Sequence, residues 1–190
     1  MKTNLSLPAI AAALLAGLTL PAAAQQKLIP TQSELGFTAK QMGVPINGHF
    51  KKFDAQINFD AAKLPTSKVT FSVDMASATL GAPEMDSELP KATWFNVPKF
   101  PQATFTSQTF KALGGGKYEI VGQLAIKGQV RDVLVPLSMT QTGTVTVASG
   151  VLPIKRLAFK IGDGEWADTS MVADDVQVKF KFSLAGVGKL

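Results

Sequence analysis

The chain contains no cysteine among its 190 residues. Disulfides are excluded, so the fold must be held by packing alone, and an N-terminal lipidated cysteine cannot anchor it. There is one histidine, His49. Without cysteine or a second histidine no zinc site is expected, no cofactor is implied, and a general base would have to be built around His49 alone. One tyrosine and two tryptophans are a poor supply for the aromatic girdles of a membrane-spanning barrel. No G-x-S-x-G occurs, and Gly114 to Gly116 lacks the downstream glycine, lysine and hydroxyl of a phosphate loop. No nucleophile and base pair emerges, so catalytic residues are not assigned. Charge is sparse too, at 17% of residues. The cations are scattered, at most two adjacent as at Lys51 and Lys52, where a nucleic-acid reader would gather them on one stripe with stacking aromatics. No nucleic-acid partner is expected. The mildly basic balance of +5 instead suits transient contact with anionic head groups at a membrane surface.

What is present begins with a leader. Lys2 precedes an apolar stretch from Leu7 through Leu20, then Pro21, Ala22, Ala23, Ala24 and Gln25. The stretch is too short to span a bilayer, and the small residues before Gln25 fit the A-x-A pattern of signal peptidase. Residues 1–24 therefore read as a signal peptide and 25–190 as one domain, with a periplasmic address expected. No repeat, low-complexity tract or interdomain linker interrupts the rest.

The mature sequence alternates with period two. Val176, Val178, Phe180, Phe182 and Leu184 point one way while Gln177, Lys179, Lys181 and Ser183 point the other, the signature of a half-buried strand. Val69, Phe71, Val73 and Met75 alternate likewise, as do Leu35, Phe37 and Ala39. Further strands are predicted over 48–60, 103–110, 117–126, 130–140 and 143–160, the first and last bent or broken. Turn residues at 60–65, 114–116, 127–129 and 162–164 separate them. Short connections imply antiparallel neighbours, and a sheet of about eight strands closes on itself to remove its edges. One short helix is predicted over 83–89, started by Pro83 and stopped by Pro90. Residues 94–101 are aromatic but carry two prolines, which predicts a loop packed over the fold as a lid.

Twelve phenylalanines dominate the apolar inventory. Inside an eight-stranded barrel such rings either fill the interior or line a cavity for one ligand, and patterning is the same in both cases. Among polar residues, Lys40, Lys155 and Arg156 flank inward-looking strands and either meet an anionic or carbonyl head group at a barrel mouth or merely solubilise strand ends. His49 is read as a polar ligand contact or a surface strand residue. The acidic group Asp163, Glu165, Asp168, Asp174 and Asp175 lacks the spacing of a helix-loop-helix calcium site and reads as a solvated loop.

Blocks spanning the mature chain resemble the YceI family of exported, lipocalin-like polyisoprenoid-binding proteins. They are Ser33 to Phe37 leading to Met42-Gly43-Val44; Gly48 to Ala55 with Ile57 to Asp60; Trp94 to Val97 with Phe100 to Ser107; Gly122 to Gly128; and Ile154-Lys155-Arg156, Ile161-Gly162 and Trp166-Ala167-Asp168 before the final strand. The resemblance implies an all-β fold, a closed antiparallel lipocalin-like barrel whose hydrophobic tunnel binds an isoprenoid quinone, a polyprenyl lipid or a similar amphiphile, without catalysis. Carried over by position, the tunnel-lining residues are Phe37, Phe50, Phe53, Phe59, Phe71, Met75, Trp94, Phe95 and Phe105, and residues 85–100 cover the mouth. Residues 82–89 depart from the charged, histidine-containing stretch of many members, which implies a different head group or a more apolar lid. Two rival expectations are an outer-membrane barrel and an enzyme acting on small isoprenoids.

Overall fold

A computed structural model describes residues 25–190, so the expected leader at 1–24 lies outside the described residues. Alternating strands of the described residues pair in sequence order. β1 has two pieces, Lys27–Leu28 and Glu34–Gln41, and β2 likewise, Val44–Phe50 and Phe53–Asn58. β3 (Lys68–Asp74), β4 (Gln102–Gly114), β5 (Lys117–Ile126), β6 (Gln129–Thr142), β7 (Val145–Lys155) and β8 (Asp175–Ala185) follow. Each is antiparallel to the next, and β8 returns to both pieces of β1, giving a closed eight-stranded barrel. β7 and β8 pair without interruption from Val145 opposite Ala185 to Lys155 opposite Asp175. Closure leaves no long edge open to pair with another chain.

The breaks in β1 and β2 have local causes. Pro30–Gln32 form a 3-10 turn that interrupts β1, and the Ser33 hydroxyl takes over by accepting from the Ser183 N–H at 2.9 Å and donating to Ile29 O at 2.8 Å. β2 kinks at Lys51 and Lys52, whose N–H groups donate to Ser77 O and Ser77 Oγ at 3.2 and 3.0 Å. Ser77 therefore wedges the strand apart. The tight hairpins at Met42-Gly43 and Lys127-Gly128 have positive φ at both central residues, the mirror-image turn that matches strand twist.

Predicted and observed elements agree closely for β5 and β8, and the strand expected over 48–60 is the broken β2. The strand predicted over 143–160, expected to be bent or broken, stops at Lys155, because Arg156–Phe159 coil into a 3-10 turn. The helix is shorter than expected, Pro83–Asp86. Pro90 disfavours helical geometry at Leu89, and the chain continues as successive turns through residue 100.

The two ends of the barrel differ. The lower end is plugged by Phe59, 4% exposed, whose ring meets Tyr118 edge-on at 5.5 Å and Phe110 at 5.8 Å. The Gln26 side chain pins this plug, accepting from Phe59 N at 2.8 Å and donating to Phe59 O at 2.7 Å. The upper end carries the long connections, residues 75–101 and 156–174.

Candidate functional site

Side chains from every strand converge on the barrel axis, and the choice between a filled core and a cavity is decided by geometry. A cavity of about 400 Å³ runs inside the barrel. Its lower wall includes Leu28, Phe59, Phe110 and Leu184, and its middle Phe37, Phe71, Phe105 and Phe180, with Met75 just past the upper end of β3. Near the top lie Lys40, Gln41, Ile46, Met85, Glu88, Trp166 and Val172. Lower lining residues such as Leu28 and Phe59 are buried whereas Lys40, Met85 and Glu88 are exposed, so the cavity opens upward. The mouth lies between the β1–β2 hairpin, the short helix and the 156–174 connection.

Of the nine residues expected to line the tunnel, Phe37, Phe50, Phe59, Phe71, Met75, Trp94, Phe95 and Phe105 do so. Phe53 does not. Its ring packs against Phe71 at 5.8 Å and Phe182 at 5.7 Å, and those two rings form the wall in its place. Phe180 and Phe182 stack at 5.2 Å on the lining itself, as the inward face of β8 announced. Gln41 at the end of β1 and Trp166 in the 156–174 connection were not among the residues expected to line the cavity, while Glu88 lies in the segment expected over the mouth.

The four head-group candidates separate. Lys40 stands at the mouth. His49 is exposed on the outer face, opposite Gly36, because the inward positions of β2 are Gly48 and Phe50. Lys155 also points outward and pairs with Asp175 at 2.6 Å, which raises its pKa above the usual lysine value. Arg156 reaches the cavity wall but its donors are spent, which corrects the expectation of a head-group contact. It is 2% exposed, and its guanidinium donates to Ala173 O (3.1 Å), Ile161 O (2.9 Å), Gly162 O (2.7 Å), Trp166 O (2.7 Å) and Val172 O (2.6 Å). A guanidinium has five N–H groups, and five carbonyls occupy them. Burial pulls its pKa down while nearby Asp174 opposes that shift. Arg156 is thus a clamp that folds the 156–174 connection over the barrel.

Lys127 is a second clamp that sequence reading missed. Its buried ammonium donates to Lys160 O at 2.5 Å and Thr93 O at 3.1 Å and pairs with Asp163 at 3.3 Å, tying the two upper connections together. Asp86 secures the short helix, accepting from the Thr79 hydroxyl at 2.5 Å and Leu80 N–H at 2.6 Å. These two bonds hold its carboxyl below the usual carboxylate range. Of the acidic loop residues, Asp168 accepts from both Ser170 Oγ (2.7 Å) and Ser170 N (2.8 Å), and Asp174 from Leu157 N (2.9 Å). The Ser170 bonds lower the Asp168 pKa. Among the described residues no three His, Cys, Asp or Glu side chains gather where they would hold a metal ion.

Known proteins share this architecture. BcnA of Burkholderia cenocepacia is 43% identical with a TM-score of 0.80, covering 82% of this chain and 98% of its own. A polyisoprenoid binding domain from Saccharophagus degradans, implicated in plant cell wall breakdown, superposes with a TM-score of 0.70 over 85% of this chain and 98% of that domain. At 16% identity that likeness shows the fold alone. A UPF0312 protein of Photorhabdus laumondii, plu2095, is 32% identical over 170 residues, 84% of this chain and 87% of that protein. A UPF0312 protein of Azotobacter vinelandii is 36% identical over 88 residues, the match spanning 46% of its length. The YceI-like domain matches residues 27–184, and with these relatives it establishes that the chain belongs to the YceI-like family.

Proposed function

We propose that this protein binds a long-chain isoprenoid lipid, of quinone or polyprenyl type, tail first in the barrel cavity, as a periplasmic carrier or sink that does no chemistry on its guest. The observation that carries this reading is the cavity of about 400 Å³, whose polar lining side chains Lys40, Gln41, Glu88 and Arg156 all lie at the upper end. Such a space is within the range of about 300–1,000 Å³ usual for ligand pockets. A hydrocarbon body is accepted along the whole bore, and a polar group is accepted only at the mouth. Burying one prenyl unit from water is worth about 4 kcal/mol at ~0.8 kcal/mol per methylene. The donor membrane is already apolar, so selection falls to the shape of the bore and to the head group.

The ligand class named for the Saccharophagus domain supports the isoprenoid, and the leader at 1–24 supports the address. Brief contact with a membrane is supported by Met42, Val44, Met85 and Met171, exposed by 69%, 63%, 36% and 41% beside the mouth. A membrane-spanning barrel is not favoured: it needs apolar residues outside, whereas β8 sends Lys179 and Lys181 outward and its phenylalanines inward.

Native mass spectrometry of the gently purified full chain, before and after incubation with vesicles carrying a prenyl quinone, tests the reading. A one-to-one lipid adduct is expected. A bare protein mass that takes up none of the quinone refutes it, and transfer to acceptor vesicles separates a carrier from a sink.

A further inference from the structure

An eight-stranded barrel is only just wide enough for side chains to fill it, so a usable bore requires that the large inward rings be laid aside. Three glycines on the strands do this. Phe37 on β1 sits between Val178 of β8 and Gly48 of β2, its direct partners in register. A Cβ added to Gly48 would fall 2.2 Å from Phe37 Cζ, so the ring tip lies over the glycine. Phe180 on β8 has Leu35 as its partner on β1 and Gly150 on β7, where an added Cβ would come within 2.6 Å of Phe180 Cζ. Phe105 on β4 has Phe71 on β3 to one side, and a Cβ on Gly122 of β5, diagonal to it in the ladder, would come within 2.6 Å of Phe105 Cζ. Phe37 and Phe180 each have a bulky partner on one flank and a glycine directly opposite on the other, whereas Phe105 has Phe71 and Leu124 as direct partners and its tip reaches the diagonal Gly122. In each case the glycine gives the ring tip room to lie along the wall.

We propose that Gly48, Gly122 and Gly150 set the bore of the cavity, each acting as a seat that keeps a phenylalanine ring out of the lumen and so fixes the width of hydrocarbon chain the protein accepts. This rests on the lipid-binding reading and makes it specific. The seats give a methyl-branched prenyl chain the width it needs over an unbranched one. An added methyl at Gly122 or Gly150 also meets backbone, Thr106 O at 2.5 Å and Pro136 O at 2.4 Å, and would disturb the strands themselves. At Gly48 the three nearest atoms all belong to the Phe37 ring. Gly48→Ala therefore displaces the ring and little else, and with Val178 on the other flank the ring moves into the lumen.

The test compares the full chain with G48A using two probes of similar length, geranylgeraniol and hexadecanol, titrated by native mass spectrometry. In G48A, binding of geranylgeraniol is expected to weaken at least tenfold and that of hexadecanol by less. Adding Phe37→Leu to G48A is expected to recover the branched chain. Ring position is read separately, from the methyl NMR shifts of Val178 without ligand, which are expected to move in G48A. If those shifts stay put, or if G48A binds both probes as the parent does, the bore proposal is overturned. Should the parent bind neither probe while the Val178 shifts move, the seats stand and the lipid reading falls. Should G48A fail to fold, Phe37→Ala alone decides: a widened bore gains affinity for geranylgeraniol over hexadecanol, and an unchanged ratio overturns the proposal.

Discussion

Replacing Arg156 by Met separates a structural clamp from a head-group ligand. The guanidinium is 2% exposed and donates to five backbone carbonyls. A hydrogen bond from a charged group contributes about 1.5–3 kcal/mol, so a plain sum over five bonds would exceed the whole stability of many domains. The sum overshoots because freed carbonyls regain water once the 156–174 connection loosens, and because Met returns apolar contact. Removing one side of a buried charged network costs about 3–5 kcal/mol, and we take that as the expected loss. For a domain of this size each kcal/mol shifts Tm by about 2–4 °C, so R156M should melt roughly 6–20 °C lower. Circular dichroism with heat and urea measures this, and hydrogen exchange should localise the weakening to residues 161–173. Arg156→Lys keeps the charge but has three donors for five acceptors, and is expected to fall between the two. A loss below about 1 kcal/mol in R156M, together with weakened lipid binding, would refute the clamp and restore the head-group role.

Acid should loosen the short helix through Asp86. Its pKa is lowered in the fold from 3.8, so its contribution is full above that value and is lost as pH falls through the folded value. Tryptophan fluorescence below pH 4 should report this opening through Trp94, and Asp86→Asn should reduce the pH dependence to the part that Asp168 contributes. Phe71→Asp places a carboxyl in the middle of the apolar wall; lipid retention measured by native mass spectrometry should disappear, whereas Phe71→Leu should keep it. His49→Ala and Lys155→Ala alter the outer face, so lipid uptake should be unchanged and stability should stay within about 0.5 kcal/mol of the parent for His49→Ala. Lipid loss in either would return that residue to the mouth.

Period two in the sequence determined most of the barrel. In a strand, neighbouring side chains face opposite sides, so the order of phenylalanines and lysines in β8 decides inside from outside before any partner strand is known. Turn residues at 127–129 marked the Lys127-Gly128 hairpin, whereas the hairpin at Met42-Gly43 was not among the predicted turns and shows in the positive φ of both residues. That the rings at Phe37, Phe71 and Phe105 face one enclosed space follows from the same rule. Tertiary structure decided whether that space is empty. The outcome depends on which residue lies beside each ring on the neighbouring strand, and Gly48 opposite Phe37 or Gly150 opposite Phe180 is a matter of register that one strand's pattern does not contain. The charged residues were settled the same way. Lys155 and Arg156 are adjacent in sequence, yet one ends a strand outward and the other turns into five carbonyls of a connection that folds back over it, because buried carbonyls need donors and a guanidinium is the side chain that brings five.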